Sequence, residues 1–137
     1  MNFRSQIAYL PAILVLGLGL FSFANPLLAI RFVGLDIIDP RGLSEVRAAY
    51  GMLYLAMGAM MLWALVRRPR NNSWLRFTGF LWSAVALGRL VSIFFDGVIT
   101  PVNLGMFVLE LLIAVPTLSA GFQSPSSQRG GKADLAR

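Results

Sequence analysis

The sequence contains no cysteine and no histidine among its 137 residues. Without cysteine there is no disulfide framework, no thiolate nucleophile and no cysteine-bound zinc or iron–sulfur cluster. Without histidine the usual general base and the usual haem or transition-metal ligand are missing. We therefore expect no cofactor and favour a non-catalytic role. A membrane enzyme that uses Glu45, Asp96 or Glu110 as acid or base stays open as an alternative.

Charged residues are also scarce. Asp, Glu, Lys and Arg make up 13% of the chain, whereas Ala, Val, Ile, Leu, Met, Phe, Trp and Tyr make up 57%. Soluble domains contain about 25% charged residues and about 45–50% apolar residues. A soluble domain of this size cannot bury so much apolar side chain, because small domains keep much of their surface exposed. The composition therefore predicts an integral membrane protein.

Four apolar runs are long enough to cross a hydrocarbon core that takes about 20 helical residues. The runs are continuous and do not alternate with polar residues, which predicts helices rather than barrel strands. The predicted spans are residues 7–30, 45–66, 74–95 and 101–120. The predicted fold is an all-α, up-down-up-down four-helix membrane bundle over residues 1–122, followed by a disordered tail over residues 123–137.

Local signals mark the ends of these spans. The predicted caps are Ser44 for the second helix, Asn72 or Ser73 for the third, and Thr100 for the fourth. Pro101 then takes the first helical position, which suits a residue without an N–H. Pro11, Pro26 and Pro116 lie inside apolar runs, and each is expected to kink its helix or to mark a frayed end. Residues 31–44 are apolar enough to form a short interfacial helix or a re-entrant turn.

Basic residues are distributed unevenly between the two ends of the spans. One end holds eight of them: Arg4, Arg67, Arg68, Arg70, Arg76, Arg129, Lys132 and Arg137. At the other end three arginines are accompanied by three acidic residues. The positive-inside rule then places both termini in the cytoplasm. The net charge of +6 is assigned to topology and anionic lipid, not to nucleic acid, because no basic patch carries interleaved aromatic residues.

Two charged residues lie inside predicted spans, where an unpaired charge is costly. Arg89 lies six residues before the end of the third span, and Glu110 lies six residues after Leu104 in the fourth. At 1.5 Å per residue, each lies about 9 Å below the outer end of its helix. Because helices joined by a short loop are antiparallel neighbours, the sequence predicts an Arg89–Glu110 ion pair.

Polar residues also follow one stripe on each of the last three helices, which predicts a polar cleft in the outer half and a dry inner half. Two interpretations stay open, a ligand or ion site and an ion pair that only fixes helix register. The candidate ligand-binding residues are Glu45, Arg47, Tyr50, Tyr54, Arg89, Ser92, Asp96 and Glu110. Small-residue rows, Ala84-Gly88-Ser92 and Gly79-Ser83, predict close helix contacts.

Three pieces of the sequence carry a family resemblance: Glu45-Val-Arg47-Ala-Ala-Tyr50-Gly51 with Gly58 one heptad on, Gly88-Arg89 followed by Asp96-Gly97, and a glutamate in the last span. Together they resemble a bacterial family of small four-span membrane proteins of uncharacterised function. The resemblance implies a four-helix fold, an inner-membrane location, and a joint role for the polar residues of the cleft. It implies no reaction. A fainter likeness to DoxX-type four-span proteins adds only architecture.

Two functions of different classes fit these observations. The first is a non-catalytic membrane protein that binds a lipid-like or small amphiphilic ligand in the cleft, or that serves as an accessory subunit of a membrane complex. Its expected partners are membrane lipid and other membrane-protein subunits. The second is a proton-coupled carrier, in which Glu110 and Asp96 relay protons. Because four spans are few for a carrier, it would act as a homo-oligomer.

Overall fold

The computed structural model describes residues 6–67, 73–97 and 99–122. Across these three stretches there are five helices and no strands, which confirms the all-α prediction. The helices are α1 (Tyr9–Ala24), α2 (Pro26–Phe32), α3 (Arg41–Arg67), α4 (Ser73–Phe95) and α5 (Pro101–Gly121). The predicted disordered tail, the cap Asn72 and the basic residues Arg4, Arg68 and Arg70 lie outside the described residues.

The helices include three that are long and apolar enough to cross a membrane, namely α3, α4 and α5. Helices α1 and α2 meet the same criterion only as a pair, and a bend of 119° separates them. The chain is therefore a multi-pass membrane protein, and its described residues contain three such helices, or four if the bent pair counts as one span.

The break between α1 and α2 corrects the predicted first span, 7–30, which is not one helix. Proline lacks the N–H that a continuing helix needs, and its ring disfavours helical geometry at the residue before it. Asn25 accordingly leaves the helical conformation, with φ −127° and ψ 66°, and Pro26 starts α2. The 16 residues of α1 span only about 24 Å, which is less than a typical hydrocarbon core.

The start of α3 also differs from the prediction. The helix begins at Arg41, so Ser44 lies inside it and does not act as its cap. Asp39 supplies the acceptor at this end, because its Oδ1 accepts a hydrogen bond from the Arg41 backbone N–H at 2.9 Å. The Arg41 side chain also donates to the carboxylate, which holds the pKa of Asp39 below its ordinary value.

A π-helical turn interrupts α3 at Arg47–Met52. At its end, the Leu53 N–H donates to the carbonyl of Ala48, five residues back instead of four. One extra residue in a turn rotates the helix on one side of it by about 100° relative to the helix on the other side. Ordinary helical spacing therefore does not predict which residues before the turn share a face with residues after it.

The helices pack as two antiparallel pairs, α1 with α3 and α4 with α5. Glycines allow close approach in both pairs, because a Cβ on Gly58 would lie 2.6 Å from the Leu16 nitrogen and one on Gly79 would lie 2.6 Å from Leu118 Cγ. A hydrophobic core joins the pairs near the end where α1 begins and α3 ends. Its buried residues are Ala8, Ala12, Val15, Met61, Ala64, Leu65, Leu75, Trp82, Ile113, Ala114 and Ala120.

Thr100 caps α5, as the sequence predicts. Its Oγ1 accepts a hydrogen bond from the Asn103 N–H at 3.1 Å, and Pro101 takes the first helical position. We expect Thr100→Val to lower the free energy of unfolding by about 1 kcal/mol, because valine keeps the shape but removes the acceptor. Unfolding by dodecyl sulfate in mixed micelles measures this change. Thr100→Ser should retain the stability, and equal losses in both variants would contradict the capping role.

Candidate functional site

The predicted ion pair between α4 and α5 is formed. The Arg89 Nε donates to the two carboxylate oxygens of Glu110 at 2.9 and 3.1 Å, and Nη2 donates to Oε1 at 2.7 Å. Nη1 donates to Oδ1 of Asn103 at 2.9 Å. Glu110 is 2% exposed, whereas the Arg89 side chain is 24% exposed. The carboxylate is thus fully buried, whereas the Arg89 side chain is partly exposed.

The Arg89 guanidinium has more hydrogen-bond donors than Glu110 and Asn103 use. It carries five N–H groups, of which Nε–H and one N–H on each terminal nitrogen are used by Glu110 and Asn103. One N–H on each terminal nitrogen has no partner in the described part of the chain. Glu110 balances the charge of Arg89, and two N–H donors of Arg89 are left for another acceptor.

A cavity of about 290 Å³ lies beside Arg89, between the two helix pairs. We call it the tyrosine cavity, because Tyr50 and Tyr54 of α3 line it. Its walls are otherwise mainly apolar. The full lining is Leu18, Phe21, Ser22, Ala29, Phe32, Val33, Leu35, Tyr50, Tyr54, Arg89, Met106 and Leu109.

A second cavity of about 360 Å³ lies nearer the end of the bundle that carries α2. We call it the loop cavity, and its lining is Arg31, Phe32, Val33, Gly34, Arg89, Thr100, Val102, Asn103 and Met106. Four of these residues also line the tyrosine cavity, so the two cavities are neighbours. Arg89 is the charged residue that they share.

The tyrosines connect the cavity to the core through a row of aromatic rings. The ring centroids of Tyr50 and Tyr54 are 6.0 Å apart, and those of Tyr54 and Trp82 are 5.3 Å apart. Tyr54 and Arg89 line the same cavity. The row joins α3 to α4, so it links the two helix pairs beside the ion pair.

Four of the eight candidate residues meet here, and four do not. Tyr50, Tyr54 and Arg89 line the tyrosine cavity, with Glu110 paired to Arg89. The other four, Glu45, Arg47, Ser92 and Asp96, line neither cavity. Of these, only Ser92 is partly buried, and the rest are exposed. For Arg47 the reason is the π-helical turn, because the predicted stripe that joins Arg47 to Tyr50 and Tyr54 assumes ordinary helical spacing and does not continue through the turn.

Comparison with known protein families matches residues 6–120 to a domain of unknown function, DUF4345. The chain belongs to this family. No curated protein and no solved structure matches the chain. Every residue of both cavities lies within the DUF4345 domain. Because the family carries no assigned function, the chemistry of the site has to be argued from its geometry.

The sequence pattern does not indicate the part of the candidate site that comes from α2 and the residues after it. Ala29, Phe32 and Val33 line the tyrosine cavity because the bend at Asn25 folds α2 across the end of the bundle. The Asn25-Pro26 dipeptide is the available signal for a break. Asn103 is also missing from the candidate ligand-binding residues, although it holds Arg89.

Proposed function

We propose that this protein is a non-catalytic integral membrane protein that binds a lipid-like or small amphiphilic ligand in the two cavities beside Arg89. One observation carries the proposal. A guanidinium fixed by a buried carboxylate and an amide presents two unused N–H donors to cavities with mainly apolar walls. Small-molecule sites typically combine an apolar lining with a few fixed polar groups, and an amphiphile matches that combination.

The proposed setting is a bacterial inner membrane, as the family resemblance implies. The positive-inside rule favours a cytoplasmic position for the end that carries Arg67 and Arg76. The cavities, at the opposite end of the helix pairs, would then lie in the periplasmic half of the bilayer. A ligand would enter from the outer leaflet. The same binding would serve an accessory subunit of a larger membrane complex, which is the second form of the proposal.

Filling the tyrosine cavity should abolish ligand binding. Ala29 and Leu109 line it from different helices, and a tryptophan at either position would occupy the space that the ligand needs. We expect Ala29→Trp and Leu109→Trp each to lower cross-linking of a diazirine-bearing acyl lipid by about fivefold or more. The measurement uses the full chain in proteoliposomes, with cross-linked residues mapped by mass spectrometry.

Each cavity variant has a matched control on its own helix. Leu28→Trp and Leu112→Trp place the same side chain at positions that are 60% and 62% exposed and line neither cavity. Both controls should cross-link as the wild type does. Undiminished labelling of both cavity variants, or labelling that never maps to the cavity walls, would contradict the proposal.

A proton-coupled carrier is the second candidate, and its supporting observation is the carboxyl of Glu110, which is buried inside the bundle. A relay residue has to gain and lose its proton. Glu110 instead accepts hydrogen bonds on both oxygens from Arg89, which favours a fixed ion pair. Flux driven by a pH gradient in proteoliposomes, lost in Glu110→Gln, would favour the carrier over the binding protein.

A further inference from the structure

The loop cavity is lined by two arginines and by no described acidic residue. The two guanidinium groups are those of Arg31 from α2 and Arg89 from α4. Glu110 is buried behind Arg89 and lines neither cavity. A ligand that reaches this space therefore meets positive charge and N–H groups with few competing carboxylates.

Arg31 is available to a ligand even though it has a neighbouring acid. Its Nε lies 3.9 Å from Asp36 Oδ1, beyond hydrogen-bond distance, and the two side chains are 66% and 75% exposed. Exposed pairs of this kind contribute about 0–1 kcal/mol. The Arg31 guanidinium can turn to a better acceptor at little cost, and the whole set of its N–H donors can be used.

The start of α5 adds a third donor group to the same cavity. Thr100 caps this helix and Val102 belongs to its first turn, where the helix dipole is positive and favours negative charge. The Thr100 hydroxyl oxygen accepts from the Asn103 N–H, which leaves its own O–H able to donate. Three elements thus direct positive potential or donors at one space.

The tyrosine cavity supplies neighbouring space with mainly apolar walls. It continues from the loop cavity past Phe32, Val33 and Met106, which line both. Its volume of about 290 Å³ is at the lower end of small-molecule pockets, which suits one hydrocarbon chain rather than two.

We infer that the loop cavity binds the anionic headgroup of a single-chain amphiphile, a carboxylate or a phosphate, between Arg31 and Arg89, with the hydrocarbon chain in the tyrosine cavity. This inference rests on the proposed function and adds the charge and the chain number of the ligand. Charge-assisted hydrogen bonds from two guanidinium groups supply the recognition. In this arrangement the headgroup of the ligand lies near the end of the bundle that carries α2, and its hydrocarbon chain points toward the hydrophobic core.

The test compares three probes with the same chain, namely dodecanoate, dodecyl phosphate and dodecanol. Each is titrated by calorimetry into the full-length protein in phosphatidylcholine nanodiscs, with empty nanodiscs as the blank. We expect at least one anionic probe to bind about tenfold more tightly than dodecanol. Arg31→Gln should lower the affinity for the anionic probe about tenfold and leave dodecanol binding unchanged. Arg41→Gln, the same change at a side chain that is 90% exposed and outside both cavities, should have no effect.

The possible results distinguish the anionic headgroup site from the binding of an amphiphile in general. Tight binding of dodecanoate alone identifies a fatty-acid-like carboxylate, and tight binding of dodecyl phosphate alone identifies a phosphate headgroup. Either result supports the inference if Ala29→Trp abolishes it. Equal binding of dodecanol and the anions, or anion binding unchanged in Arg31→Gln, overturns the inference and leaves the proposed function standing. Failure of all three probes to bind above the blank contradicts the proposed function itself.

Discussion

Replacing Arg89 with methionine should destabilise the protein by about 3–5 kcal/mol, because it leaves the Glu110 carboxyl buried without its partner. Glu110 is 2% exposed and takes its side-chain hydrogen bonds from Arg89. No other guanidinium donates to it among the described residues. Dodecyl sulfate titration in mixed micelles, followed by helical circular dichroism, measures the change in the free energy of unfolding.

Two further variants distinguish the effect of breaking a buried ion pair from the effect of losing any arginine. The double variant Arg89→Met/Glu110→Leu should recover most of the stability, because removing both charges leaves neither unpaired. Arg41→Met breaks an equally well-aligned pair with Asp39, but that pair is exposed and should contribute about 0–1 kcal/mol. If Arg89→Met costs no more than Arg41→Met, the ion pair does not hold α4 to α5.

Alanine at Gly19 or Gly58 should separate α1 from α3 and destabilise the protein by about 1–3 kcal/mol each. A Cβ at Gly19 would lie 2.5 Å from the Leu55 nitrogen, and one at Gly58 would lie 2.8 Å from the Leu16 Cα. Both obstacles are backbone atoms, so no side-chain rotation relieves them. Because α1 leads into α2, a displaced α1 should also weaken ligand binding in the tyrosine cavity.

Gly17→Ala is the matched control for these variants. Gly17 lies on the same helix, two residues from Gly19, and a Cβ there would meet nothing within 4 Å. Alanine suits a helix better than glycine by about 1 kcal/mol, so this variant should be neutral or stabilising. Equal stability of Gly17→Ala, Gly19→Ala and Gly58→Ala in the same titration would show that α1 and α3 do not cross closely.

The ion pair could be predicted from sequence because helical rise is fixed and the connection between α4 and α5 is short. Counting residues from the two helix ends places Arg89 and Glu110 at equal depth, and the antiparallel packing of the pair then brings them together. The cap at Thr100 and the bounds of α4 and α5 depend on equally local signals.

The bent first segment could be predicted only in part. Pro26 indicates a break, because no helix continues smoothly through a residue without an N–H. The direction in which the chain leaves Asn25 depends instead on how α2 packs against the rest of the bundle. Ala29, Phe32 and Val33 line the tyrosine cavity because of that direction, so the sequence pattern alone does not predict this wall.

The register of α3 could not be predicted, because a π-helical turn has no fixed residue signature. Stripes drawn at ordinary helical spacing place Arg47 and Tyr54 on one face, whereas the turn separates them. The predicted rows of small residues likewise do not show which of their members pack closely against a neighbouring helix. Gly79 packs against Leu118, but a Cβ on Gly88 would meet nothing within 4 Å. A small residue permits close approach without specifying which neighbour will make it.

The most direct measurement of the central claim is an experimental density map of the full chain, purified with its native lipids and bound to an antibody fragment for electron cryomicroscopy. We expect Arg89 within hydrogen-bond distance of Glu110, with a single elongated density running from Arg31 and Arg89 past Phe32 toward Tyr54. A map with α2 packed onto Arg89 and no space between the helix pairs would contradict the account, as would Arg89 and Glu110 facing lipid apart from each other.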